Sequence, residues 1–355
     1  MKILLSFLLI ASTIYADNID MLIEKHREKY SIPGVALAVV QKGKEPKYYL
    51  AGKADPKTNK PIRLDTIFEI ASITKVFVTT LLALEVERGT VKLSDPAYKY
   101  IPGLERSPLQ GFKSVTLAEL ATHTASLQRD PEGLKTREEI IEFLRTWNPA
   151  YPLATKYVYS NMGFGLLAYA MSGVTHTQLE PLLKKEIFAP LGMTSTFIEV
   201  PNYKRPLLVQ GFSKDGQPIP PTPVRILPGG GGLKSTPRDM VQFLLANMGL
   251  TGPSTLKVAL QFAHQPIFKV SDKLQLALGW QVVTQGDHVI IDKNGGLPGS
   301  ASYIGFSGDV GVVVLSNKGK SQATVLGRAV LMELLKEAQP KESPAAPIKA
   351  EPFVR

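Results

Sequence analysis

The chain of 355 residues contains no cysteine. Disulfides, thiol nucleophiles, thiolate metal sites and a lipidated cysteine anchor are excluded together. Histidine is scarce as well. His26, His123, His176, His264 and His288 never fall at ligand spacing, so neither a metal nor another cofactor is expected. No Gly-x-Ser-x-Gly turn is present to head an α/β-hydrolase triad. No apolar run approaches the roughly 20 residues needed to cross a bilayer. The formal charge is +10, yet lysines such as Lys42, Lys44, Lys53 and Lys60 are scattered. Nucleic-acid binding requires a concentrated basic face, so no nucleic-acid partner is expected.

The first sixteen residues read as a secretory signal. Lys2 supplies the positive charge, Ile3 to Ala11 the short apolar core, and Ala16 a cleavage point. Export to the periplasm or the exterior follows as the expected destination. Residues 17–338 then form the folded unit, and the Pro-, Ala- and Lys-containing stretch 339–355 reads as a disordered tail.

Periodicity suggests a helix over Ile19 to Tyr30, then a hairpin from Val35 to Val40 and Tyr48 to Ala51. Ile67 to Arg88 reads as one long helix, apolar all round and therefore central. The middle, about 91–248, is helix-rich and reads as a helical lobe. Strands return at Leu278 to Val283, His288 to Asp292, Ser302 to Phe306 and Val310 to Leu315, before a helix over Ala323 to Ala338. An α/β fold follows, its sheet assembled from both chain ends and flanked by helices. A ligand site belongs in the cleft between sheet and helical lobe.

Ser72-Ile73-Thr74-Lys75 lies in the long apolar helix, where positions i and i+3 share a face. A serine hydroxyl needs a neighbour to accept its proton, and a desolvated lysine among cations can serve. Ser254-Thr255-Leu256-Lys257 has the same pattern, so the motif alone decides nothing. Tyr159-Ser160-Asn161 is the one Tyr-x-Asn in the chain, and Lys293-Asn294-Gly295 follows a strand. Each has an ordinary reading: a helix start for the first and an Asn-Gly hairpin turn for the second. Lys214-Asp215-Gly216 repeats the Lys-x-Gly pattern. The order of the three elements is more specific. Ser254 follows the Tyr-x-Asn and cannot head the series, whereas Ser72 can.

That order resembles the penicillin-recognising serine enzymes. Asp65 to Ser72, Leu120-Ala121-Thr122-His123-Thr124, Gly232 to Thr236, Leu278-Gly279-Trp280 and Leu315 to Lys318 also match in sequence order. A tyrosine in the second motif, with no Glu-x-x-x-Asn after it, is similar to the class C β-lactamases, their carboxypeptidase relatives and a set of esterases. The resemblance implies an antiparallel sheet of the β-lactamase/DD-peptidase type and an acyl-enzyme at Ser72. Tyr159 would be the base, with Lys75 and Lys293 favouring its phenolate, although the group that takes the first proton stays open. Asn161, Lys293, Asn294, Gly295 and Gly296 would bind substrate, with the oxyanion held by the N–H groups of Ser72 and Gly296. The implied substrate is a small-molecule β-lactam or a peptidoglycan stem peptide, acted on by a monomer. A D-alanyl-D-alanine carboxypeptidase or endopeptidase, a short-chain esterase and a non-catalytic penicillin-binding sensor are the alternatives.

The sequence departs from this pattern in three places. Asn294 stands where the family usually has threonine. Gly231 stands where class C enzymes carry an aromatic residue. The carboxylate-contacting Asn/Arg stretch after Lys318 is not recognisable. Leu127-Gln128 stands near the place of the family's helical-lobe glutamine.

Overall fold

Val35, Leu37 and Val39 leave one face of strand β1 (Gly34–Gln41), and Ala36, Ala38 and Val40 leave the other. Side chains alternate along a strand, and here both sets are buried in separate cores. Strand β13 (Val310–Ser316) does the same, with Val312 and Val314 on one side and Val313 and Leu315 on the other. A sheet covered on both faces explains why these strands read as unbroken apolar runs. The computed structural model describes residues 18–105 and 108–338. The expected signal and the expected tail lie outside the described residues.

Strands β2 (Lys47–Asp55) and β3 (Lys60–Pro61) complete the N-terminal side. From the C-terminal side come β8 (Phe268–Ser271), β9 (Leu274–Leu276), β10 (Gln281–Gln285), β11 (His288–Leu297) and β12 (Ser300–Ser307). The nine strands run β3-β2-β1-β13-β12-β11-β10-β9-β8, antiparallel throughout. The two chain ends therefore meet at β1 and β13. A helix over residues 18–30, α1, and the C-terminal helix α9 (Ala323–Ala338) cover one face through Ile19, Ile23, Val330 and Leu334. On the other face lie helices α2 (Thr74–Glu87), α7 (Pro237–Asn247) and α8 (Ser254–Ala263), with Phe77 stacked on Phe243 at 3.8 Å between ring centroids. Beyond them come α3 (Leu117–Thr122), α4 (Arg137–Thr146), α5 (Asn161–Thr175) and α6 (Leu179–Leu183). No helix among the described residues is long and apolar enough to cross a membrane.

Buried polar groups tie the chain ends together. Asn317 accepts from Gly34 N at 2.8 Å and donates to the carbonyls of Lys53 and Gln210. Lys318 donates to the carbonyls of Tyr30 and Ser31 at the end of α1, where free helix carbonyls need donors. The family-like Asn317-Lys318 pair is thus a structural clasp.

Three sequence expectations change. The helix expected from Ile67 starts later: Phe68–Glu69 is a short strand, β4, paired with β7 (Lys234–Ser235), and a 3-10 turn over Ala71–Ile73 precedes α2. Backbone pairing across 166 residues of sequence defeats a local helical pattern there. The strand expected from Leu278 starts at Gln281, because Gly279 adopts φ +73° in a turn closed by Ala277 N to Trp280 O. Asn294-Gly295 is no turn at all. It lies inside β11, and Gly295 is opposite Ser302 of β12.

Candidate active site

Ser72 sits in the 3-10 turn at the start of α2, held from three directions. Ser302 Oγ donates to Ile70 O at 2.8 Å, and Ile70 N donates to Leu233 O at 3.1 Å. Thr74 Oγ1 donates to Ala71 O and accepts from Leu233 N. Ala71 is driven to φ +49°, a region that non-glycine residues seldom occupy. Such strain needs over-determined surroundings, and these bonds provide them. A Cβ on Gly295 would sit 2.5 Å from Ile70 O and 2.9 Å from Ser72 N. The third motif therefore requires glycine so that β11 can close on the nucleophile turn.

Strand β10 ends opposite Asp292, so β11 from Lys293 onward pairs only with β12 and turns its other edge to the cleft. Across that cleft, Ser160 caps α5, its Oγ accepting from Gly163 N at 2.9 Å and donating to Gln128 O at 2.6 Å. The cap sets Tyr159 and Asn161 on either side of it. His123 ends α3 in a left-handed conformation, accepts from Ser160 N at 3.0 Å and packs its ring 4.3 Å from that of Tyr159. Its burial, beside Lys293 and Lys75, holds its pKa well below the ordinary 6.5, so the ring is neutral.

Ser72, Tyr159, Asn161, Lys293, Asn294, Gly295 and Gly296 line one cavity of about 840 Å³, with Lys75 buried beneath Ser72. All eight residues singled out in the sequence come together. Ser254 is exposed on α8, and neither it nor Lys257 lines this cavity. Tyr159 Oη donates to Ser72 Oγ at 2.5 Å, and Lys75 Nζ lies 3.2 Å from the same oxygen. Lys75 Nζ also bonds Asn161 Oδ1 at 2.7 Å and the carbonyl of Gly230. Asn161 Nδ2 donates to Asp130 Oδ1 at 2.8 Å, which fixes the sense of the amide.

Electrostatics reverse one expectation. Burial pushes the Tyr159 phenol up to about 12, outweighing its hydrogen bond with Ser72 and the charge of Arg129. Tyr159 is a phenol at neutral pH, not a phenolate. Burial also drives Lys75 well below 10.5, with Lys293, Arg225 and Arg129 acting in the same direction and Asp130 opposing. The lysine expected to stabilise a phenolate is itself the group whose charged form burial disfavours. Lys293 is pushed down to about 8 by burial, against the pull of Asp292.

Sequence reasoning missed Asp130, Arg129 and Arg225, all in loops where no motif marks them. The glutamine position is a correction too. Gln128 is exposed and offers only its backbone carbonyl, whereas Asp130 bonds Asn161. Lys214 and Asp215, in the turn between strands β5 (Gly211–Phe212) and β6 (Pro218–Ile219), form part of the cavity rim. Lys234 is a buried structural donor to Ile198 O. Among the described residues no cluster of His, Cys, Asp or Glu is placed to hold a metal.

The geometry has close counterparts. The β-lactamase family model matches residues 19–336. A β-lactamase of Psychrobacter immobilis is 32% identical over 293 residues, spanning 79% of this chain and 72% of that protein. A β-lactamase of Escherichia coli (strain K12) is 30% identical over 332 residues, 82% of this chain and 85% of its own. Among solved structures, a class C β-lactamase superposes with TM-score 0.85 at 26% identity, covering 92% of this chain and 97% of that one. A D-alanine carboxypeptidase, AmpC, from Burkholderia cenocepacia gives TM-score 0.81 at 29% identity, covering 91% and 99%. With the family model spanning nearly all the described residues, the chain belongs to the β-lactamase family.

Proposed function

We propose that this protein is a serine hydrolase of the class C β-lactamase type, acting through an acyl-enzyme at Ser72. The observation that carries the reading is the hydrogen-bond pattern around Ser72 Oγ. A neutral amine has two N–H donors and one lone pair. Asn161 Oδ1 and the Gly230 carbonyl can only accept, so they take both donors of a neutral Lys75. Lys75 Nζ reaches Ser72 Oγ at 3.2 Å, and with the amine neutral its lone pair would face that hydroxyl, which also accepts from Tyr159. A one-way chain results, from phenol to serine to amine.

In this reading Ser72 Oγ attacks the substrate carbonyl carbon while its proton passes to Lys75 Nζ. The oxyanion is received by the N–H groups of Ser72 and Gly296. Gly296 faces open space, since a Cβ there would meet nothing within 4 Å. As the carbon–nitrogen bond breaks, Tyr159 donates its phenolic proton to the leaving nitrogen and regains one from Lys75. Water, positioned by the Tyr159 hydroxyl, then attacks the ester carbonyl; its proton passes to the Lys75 amine and returns to Ser72 Oγ as the ester C–O bond breaks. Lys293, its ammonium free of any carboxylate within bonding distance among the described residues, meets a substrate carboxylate, and Asn294 supplies an amide donor beside it. The second Nδ2 proton of Asn161 remains for a substrate carbonyl. Residues 1–16 support export, to the periplasm or beyond.

Peptidoglycan carboxypeptidase activity is the second reading, favoured by one observation. Gly231 leaves the cavity without a side chain on that wall, which suits a peptide as well as a drug. Incubation with a chromogenic cephalosporin, recording turnover and the mass of any persistent acyl-enzyme, tests the proposal. Turnover supports a β-lactamase, a long-lived adduct supports the carboxypeptidase, and neither adduct nor turnover contradicts both.

A further inference from the structure

The helical side of the cavity carries two arginines that the chemistry above leaves unused. Arg225 lies in the loop leading to the 3-10 turn Pro228–Gly230, and Arg129 directly precedes Asp130. Arg129 faces Asp130 at 3.6 Å and lies 5.1 Å from the centre of the Tyr159 ring. Asp130 in turn is bonded to Asn161. Asp130 pairs with Arg129 alone, and Arg225 has no salt-bridge partner among the described residues. Both arginines are near enough to help depress Lys75. Gly231, six residues after Arg225, has no side chain and leaves the wall beside it open.

Lys293 stands on the opposite, strand wall and is sufficient for one substrate carboxylate. A singly charged substrate would leave Arg225 uncompensated in a concave site, where charges are screened less than on open surface. The planar guanidinium fork matches a carboxylate with two parallel N–H donors. We propose that the helical wall forms a second anion subsite, so that the preferred acyl donor bears a carboxylate on its acyl side chain as well as the one that meets Lys293. The subsite rests on the reading of Ser72 as the acylated nucleophile.

Three penicillins that differ at one position test it. Carbenicillin carries a carboxylate beside the side-chain amide, benzylpenicillin a hydrogen and ampicillin an amine. Second-order acylation rate constants, followed by intact mass, should fall in that order. Carbenicillin should exceed benzylpenicillin by about tenfold, the scale of one hydrogen bond to a charged group, and the preference should shrink as salt is raised. Arg225→Gln should erase the preference and Arg225→Lys should retain most of it. Equal rates in the unaltered protein, or a preference unchanged in Arg225→Gln, would overturn the subsite. Fastest acylation by ampicillin would overturn it too, giving the wall to Asp130. Acylation by none of the three removes the Ser72 reading itself, whereas acylation by all without preference removes only the subsite.

Discussion

Replacing Lys293 by methionine should make the protein more stable and much less active. Its side chain is buried on β11, and the attraction of Asp292 opposes burial without restoring the ordinary pKa. Asp292 keeps its own partner, Arg328 Nε at 2.7 Å, when the lysine is gone. The fall from 10.5 to about 8 corresponds to about 3 kcal/mol of penalty on the charged form. The folded pKa is the lower one, so the penalty is fully present below pH 8. It shrinks as pH rises from about 8 and is gone above about 10.5, where the unfolded chain also loses the proton. Urea unfolding at a series of pH values should therefore show Lys293→Met gaining about 1–3 kcal/mol at neutral pH, with the gap closing towards pH 10. Its kcat/KM for carboxylate substrates should drop by about 10–100-fold. The unaltered protein should lose kcat/KM above pH 8 as the ammonium deprotonates. A variant less stable than the parent at neutral pH, or a gap independent of pH, would refute the assignment of Lys293 as an uncompensated buried charge.

Tyr159→Phe should slow turnover by about 10²–10⁴-fold with its thermal unfolding unchanged, since among the described residues the hydroxyl bonds only Ser72 Oγ; normal turnover in a folded variant would remove it from the chemistry. Gly231→Tyr should fold, because φ 162° lies outside the left-handed region and a Cβ there meets Ala71 no closer than 3.6 Å. It should lower KM for bulky cephalosporins by about tenfold, the scale of apolar pocket contacts, and unchanged KM across several of them would show that this wall does not meet substrate. Asn317→Ala should destabilise by about 1–3 kcal/mol, measured by urea unfolding, because one buried and two partly buried backbone groups lose their partner; a loss below the error of the measurement would contradict the clasp.

The sheet built from both chain ends was legible because β1 and β13 are apolar on both faces, and the final helix spans its expected range, Ala323–Ala338. The three motifs were legible through their order rather than through any one of them. What escaped has tertiary causes. The β4–β7 pairing and the φ of Ala71 come from contacts with distant residues, so the apolar run from Ile67 looked like uninterrupted helix. Strands β8 and β9 carry Lys269, Asp272 and Lys273 on and between them and lack clean alternation. Asn294-Gly295 has turn chemistry locally, and only pairing with β12 extends the strand through it. The Tyr159 phenolate was expected by counting cations, whereas burial acts on the phenol and on Lys75 together, and disfavours the very cation that was counted. Asp130 and Arg225 had no periodicity to reveal them.

Covalent labelling tests the central claim most directly. Ser72 and Ser254 head identical Ser-x-x-Lys patterns, but only Ser72 lies in the cavity with Tyr159. Intact-mass analysis after exposure to penicillin should show an adduct on the parent protein and on Ser254→Ala, and none on Ser72→Ala. An adduct that persists on folded Ser72→Ala would contradict the account.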